Sequence, residues 1–137
     1  MQRLILPRFI AALFFMLSTF AVQANEVISE HVDIHQFAEL IAENSDNPAM
    51  EIIDVRTPEE FHAGHIPNAV VIDFYGKDFV NKLEQLNKNK TYLLYCRSGN
   101  RSGKTLNLMH KLGFKAVYNM KGGMKKWAPA NLPVVKP

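Results

Sequence analysis

One short stretch gathers the residue types that do chemistry: Cys96-Arg97-Ser98-Gly99-Asn100-Arg101-Ser102. Cys96 is the only cysteine among the 137 residues, so it has no internal disulfide partner, and no Cys-x-x-Cys pair is present to build a zinc ribbon or finger. Two arginines, small residues and a following helix are the parts of an anion cradle. Gly99 lets the backbone turn tightly, and successive N–H groups of the loop and helix N-terminus can converge on one centre. The same field favours a thiolate over a thiol, lowering the Cys96 pKa and keeping the sulfur nucleophilic at neutral pH. The bland alternative is an inert buried cysteine, as many free cysteines are. The flanking residues argue against it, because Arg97, Ser98, Asn100, Arg101 and Ser102 belong on no core face.

The elements around the loop read as alternating strands and helices. Thr91-Tyr92-Leu93-Leu94-Tyr95 is a near-continuous apolar strand ending at Cys96, and Leu106, Met109 and Leu112 mark the helix after the loop, closed by Gly113. Upstream, Asp33 caps a helix carrying Ile34, Phe37, Leu40 and Ile41, with Gln36 placed for a capping box. Glu51 to Val55 suits a buried strand, and Thr57-Pro58 starts a second helix. Ala69 to Ile72 reads as a strand, Phe79, Leu83 and Leu86 as a helical stripe, and Ala116 to Tyr118 as a last strand. The pattern predicts an α/β fold, a mostly parallel central sheet with helices on both faces. In an open sheet of this kind ligands bind outside the carboxyl ends of the strands, and Cys96 lies at such an end.

Composition bounds the rest. The chain carries 16 Lys+Arg against 13 Asp+Glu, a net charge of +3, which hints at nucleic acid only if the charges cluster. They do not. Arg3 and Arg8 precede an apolar run from Phe9 to Leu17, and Val22 and Ala24 occupy the −3 and −1 positions of a cleavage site. This is the layout of a secretory signal peptide over residues 1–24, cleaved after Ala24. As a membrane anchor the segment is shorter than the roughly 18 to 20 apolar residues a spanning helix needs. Its removal leaves 113 residues with 14 basic and 13 acidic groups, a net charge of +1, and with it goes the argument for nucleic acid. Residues 25–137 show no repeat, low-complexity tract or linker and are expected to form one domain, periplasmic or secreted, meeting the membrane only through the signal peptide during export.

Three ordered motifs resemble one family. Cys96 to Arg101 resembles the active-site loop of rhodanese-type sulfurtransferases. Asp54-Val55-Arg56-Thr57-Pro58-Glu59-Glu60-Phe61 with Gly64-His65-Ile66-Pro67-Asn68-Ala69 resembles their upstream signature, and Gly122-Gly123 with Trp127 the terminal one. The resemblance implies a rhodanese-like fold and sulfur transfer in two steps. The Cys96 thiolate attacks the sulfane sulfur of a donor such as thiosulfate, sulfite leaves, and the resulting persulfide passes its sulfur to an acceptor: cyanide, or a thiol such as glutathione or a thioredoxin-like protein. The catalytic residue is then Cys96. Arg97, Ser98, Gly99, Asn100, Arg101 and Ser102 bind substrate, the N–H groups stabilising the persulfide and the arginines attracting donor and sulfite. No metal or organic cofactor is required.

Two other readings compete. Cys-dependent phosphatases also set Cys and Arg around an anion loop, but theirs holds one residue more than the four separating Cys96 from Arg101, and no Asp or Glu lies within ten residues of Cys96 to act as general acid. A sulfur carrier or binding module with little turnover would keep the cysteine and look alike in sequence. Several conspicuous residues have structural readings. Asp54 and Arg56 tie a strand end to its neighbours, His65 is a turn residue, Trp127 packs, and Gly122-Gly123 forms a turn near the site. Lys104 is solvated, and His31, His35, His62 and His110 show no metal spacing. Glu60 departs from the pattern, standing where tandem-domain members carry an arginine, which removes one expected donor-binding cation.

Overall fold

A computed structural model describes residues 26–137; the signal peptide expected over 1–24 lies outside them. Five strands form one sheet: β1 (Ile28–Val32), β2 (Met50–Asp54), β3 (Val70–Val71), β4 (Thr91–Tyr95) and β5 (Ala116–Met120). Their order is β1-β5-β4-β2-β3, every neighbouring pair is parallel, and β4 lies at the centre. The helices are α1 (Ile34–Glu43), α2 (Pro58–His62), α3 (Phe79–Glu84), α4 (Asn100–Lys111) and α5 (Gly123–Trp127), with a 3-10 turn at Ala128–Ala130. None of the described helices is long and apolar enough to cross a membrane.

Strand periodicity explains the two cores. In β4, Tyr92 and Leu94, followed by Cys96, point to one face, while Leu93 and Tyr95 point to the other, and all five are buried. The first face packs on Phe79 and Leu83 of α3 and Leu106 and Met109 of α4. The second packs on Phe37 of α1 and Trp127 of α5. A central strand buried on both faces reads as the unbroken apolar run seen here. The sheet with helices on both faces is the architecture expected from the sequence.

The caps follow the sequence closely. Asp33 accepts from the N–H groups of His35 and Gln36 at 2.9 Å, and the Gln36 side chain accepts from the Asp33 N–H at 3.1 Å, completing the capping box. Thr57 caps α2 in the same way with Glu60, and Pro58 sits at the first helical position. Two elements differ from expectation. β1 pairs with β5 at the sheet edge, where of Ile28 to Val32 only Val32 is buried, so no apolar alternation marks it. Gly122-Gly123 is more than a turn, because it opens α5.

Candidate active site

Cys96 stands where β4 gives way to α4, at the carboxyl edge of the sheet. Its residue surface is 1% exposed. Three donors surround the sulfur. The Gly99 N–H lies 3.1 Å from Sγ, the Ser102 hydroxyl 3.2 Å and the Ser102 N–H 3.4 Å. Burial alone pushes the Cys96 pKa up, since a buried thiolate is poorly solvated. The Ser102 hydroxyl and the N–H groups of Ser102, Ser98 and Gly99 together outweigh it, and the thiol is held below its ordinary value. The arrangement stabilises a negative charge on sulfur without a neighbouring cation in contact.

The loop reaches this shape through glycines. Gly99 has φ +95°, a left-handed conformation that side-chain-bearing residues rarely adopt, and it places the first N–H groups of α4 toward the sulfur. Gly123, with φ +56°, leaves room for the loop backbone: a Cβ there would meet the Arg97 carbonyl oxygen at 2.6 Å. That approach lets α5 clamp the loop. The Met124 N–H donates to the Cys96 carbonyl and the Lys125 N–H to the Arg97 carbonyl, both at 3.0 Å. Sequence reasoning found Gly122-Gly123 but not this clamp, because main-chain bonds leave no side-chain signature.

The two arginines of the loop have different fates. Arg97 projects as an exposed side chain with no carboxylate within salt-bridge distance among the described residues. Arg101 forms a bidentate pair with Glu60: Nη1 to Oε2 and Nη2 to Oε1, both 2.8 Å. The Arg101 guanidinium pulls the Glu60 carboxyl down to about 2, and Glu60 raises the Arg101 pKa in return. The resemblance assigns Arg101 to an anionic donor, and this pairing bears directly on that role. In this structure the charge is answered by a carboxylate from α2. Ser102 corrects the expectation that it belongs on no core face. It is fully buried on the core side of the loop, where its hydroxyl donates to the sulfur rather than to solvent. Ser98 and Asn100 are exposed, so their contribution to the cradle is main-chain geometry.

Glu60 carries more than its sequence reading gives it. Besides replacing an expected donor-binding cation, it is the anion that pairs with Arg101. Its separation of 41 residues from Arg101 hides the pairing. The one local sign is the capping-box spacing Thr57-x-x-Glu60, which holds its carboxylate in place through the Thr57 N–H at 3.0 Å. The neighbouring Asp54–Arg56 pair is structural, as expected. Arg56 donates to both Asp54 oxygens at 2.6 to 3.0 Å and to the Gly64 carbonyl at 2.8 Å, joining the end of β2 to the 64–67 turn. His65 sits in that turn with Nδ1 3.0 Å from the Phe61 carbonyl and its ring stacked on Phe61. Trp127 is buried against Phe37 and donates to the Pro133 carbonyl at 2.9 Å. Lys104 is exposed. No group of His, Cys, Asp and Glu suited to a metal ion occurs among the described residues.

Fold and loop together define a class: a doubly wound parallel α/β protein with a cysteine cradled in N–H groups at the carboxyl edge of its central strand. The family model for the rhodanese-like domain matches residues 36–130, and the chain belongs to that family. It is 29% identical over 106 residues to a sulfurtransferase of Allochromatium vinosum, covering 77% of this chain and 94% of that protein. It is 43% identical over 82 residues to a putative sulfurtransferase of Bacillus subtilis, covering 60% of this chain and 77% of that one. Among solved structures it is similar to a rhodanese-related protein from Thermoplasma volcanium, with a TM-score of 0.64, 29% identity and coverage of 79% and 99%. The names of the Allochromatium and Bacillus proteins both say sulfur transfer.

Proposed function

We propose that the protein is a sulfurtransferase that carries sulfane sulfur on Cys96, loading it from an anionic donor such as thiosulfate and releasing it to cyanide or to a thiol, including that of a thioredoxin-like protein. The observation that carries this reading is the Cys96 sulfur itself, held by three hydrogen-bond donors at the N-terminus of α4 with its pKa lowered. In the loading step the thiolate attacks the terminal sulfur of thiosulfate. A new S–S bond forms, the old one breaks, and sulfite leaves with the electron pair, so charge and atoms balance. The persulfide anion extends the thiolate by one atom, and the same N–H groups stabilise it. Ping-pong kinetics follow from the covalent intermediate.

The near-complete burial of Cys96 supports a slender donor presenting a terminal atom over a bulky phosphate ester. Phosphatase chemistry also needs a proton donor, and the carboxyl paired to the loop, Glu60, is held ionised with a pKa of about 2. The carrier reading has one observation in its favour. With Arg101 engaged by Glu60, the loop offers fewer free charges to thiosulfate, which favours slow turnover with that donor. The proposed site is periplasmic or extracellular, following the leader sequence at residues 1–24.

Intact mass spectrometry after incubation with thiosulfate tests the reading. Gain of one sulfur atom, abolished in Cys96→Ser, is the expected result. A folded, reduced protein that stays unmodified overturns it. Steady-state thiosulfate:cyanide turnover separates enzyme from carrier, since a carrier gains the sulfur yet discharges it slowly to cyanide. The mass of protein recovered from an exporting cell reads cleavage after Ala24 in the same measurement.

A further inference from the structure

An open cleft beside the Cys96 loop is lined by Arg56, Glu60, Ala63, Arg97, Met124 and Lys125. Its charges sort into two groups. Arg56 is bound to Asp54, and Glu60 is bound to Arg101. Arg97 and Lys125 have no carboxylate within salt-bridge distance among the described residues. Their backbones are locked together, because the Lys125 N–H donates to the Arg97 carbonyl at 3.0 Å while the preceding Met124 N–H holds the Cys96 carbonyl. Two positive charges without partners therefore rise from the rim of one cleft, on segments fixed directly to the residue that bears the sulfur.

We propose that Lys125, together with Arg97, forms the subsite that receives the anionic end of the sulfur donor, making Lys125 a specificity-determining residue for dianionic donors. This rests on the sulfur-transfer reading of Cys96. The charges match: two free cations face a donor that carries two negative charges and releases a sulfite that carries two. Glu60 sharpens the assignment, because it removes Arg101 from the same task. A donor drawn to the loop meets its free positive charge on the Lys125 side. The attraction lies at the rim, so it is screened by salt.

The test compares charge variants of Lys125 on two reactions of Cys96. Loading by thiosulfate, followed as persulfide mass against time at low salt, is expected to slow about threefold in Lys125→Gln and about tenfold in Lys125→Glu, and the difference is expected to shrink in high salt. Lys111→Glu, the same charge change at the exposed far end of α4, leaves the rate unchanged. The second reaction is alkylation of Cys96 by iodoacetate and by iodoacetamide, an anionic and a neutral reagent of nearly the same size. Lys125→Glu is expected to lower the iodoacetate rate relative to the iodoacetamide rate by about threefold, since this reagent carries half the charge of the donor. If persulfide forms at the wild-type rate in both Lys125 variants, the subsite is overturned while sulfur transfer stands. If the wild-type protein forms no persulfide, the sulfur-transfer reading fails, and an unchanged alkylation ratio in Lys125→Glu then overturns the anion subsite as well.

Discussion

Two arginine–carboxylate pairs each lend one member to the lining of the same cleft, Arg56 and Glu60, and differ chiefly in burial. In Asp54–Arg56 the side chains are 0% and 7% exposed, and the guanidinium also donates to the Gly64 carbonyl and lies 5.5 Å from the Tyr95 ring centroid. In Glu60–Arg101 they are 29% and 15% exposed, with the guanidinium 5.6 Å from the ring centroid of the exposed Tyr75. The first pair is enclosed by protein and holds fixed parts together. The second is open to water on one side and stands at the loop that bears Cys96. The same chemical pairing thus acts as a staple in one place and as a charge regulator in the other, and solvent access decides which.

Removing one partner of the buried pair gives the largest effect. Arg56→Ala takes the guanidinium from an Asp54 carboxylate that is 0% exposed in the native protein, and breaking a buried pair in this way costs roughly 3–5 kcal/mol. Chemical denaturation of the variant is expected to show that loss. A midpoint within experimental error of the wild type would erase the contrast between the pairs. Because Arg56 also holds the 64–67 turn, where the Tyr95 hydroxyl accepts from the Ile66 N–H at 3.1 Å, the loss spreads along the end of β4.

The open pair predicts a smaller cost and a gain. Glu60→Gln keeps an oxygen for the Thr57 N–H, so the capping box of α2 survives while the charge disappears. Stability is expected to fall by about 1 kcal/mol or less, in keeping with a partly exposed pair. Arg101 then has an unanswered charge, and thiosulfate loading of Cys96 is expected to rise about threefold at low salt. The pH dependence has a definite sign. The Glu60 carboxyl titrates near 4.5 when unfolded and about 2 when folded, so its contribution is fully present above the first value and lost as pH falls through the second. Acid unfolding of Glu60→Gln should lack that component. Slower loading in the variant would show that Glu60 positions Arg101 for the donor instead of neutralising it.

The contrast also explains what was legible in the sequence. The β4–loop–α4 unit was readable because burial on both faces writes an apolar run, and the loop that follows breaks it with polar residues and glycine. The capped starts of α1 and α2 were readable because Asp33 and Thr57 act within three residues of themselves. The partner of Arg101 was not, since an ion pair between α2 and α4 has no period in sequence. Ser102 looked like a loop residue because a hydroxyl reads as polar, yet its one bond to sulfur requires it to be buried. The edge strand β1 left little trace because one buried side chain, Val32, suffices at an edge. Local rules carry the scaffold; the electrostatics of the site depend on which distant residues the sheet brings together.

The smallest predicted effect probes how the cradle holds charge without a cation in contact. Ser102→Ala removes the hydroxyl that donates to Cys96 Sγ at 3.2 Å while keeping the Ser102 main-chain position and the Gly99 N–H. That hydroxyl is the strongest of the influences lowering the thiol pKa, and burial opposes it. The Cys96 pKa is therefore expected to rise in a pH profile of alkylation by iodoacetamide. Below the wild-type midpoint the variant reacts about twofold more slowly, because the thiolate fraction follows the pKa. Well above both midpoints the two rates converge, since each sulfur is then fully ionised. A uniform slowing at every pH would assign Ser102 to shaping the approach to sulfur, whereas convergence assigns it to the charge. In the second case the N–H groups and one hydroxyl suffice to hold a reactive thiolate, leaving Arg97 and Lys125 free to act on the donor.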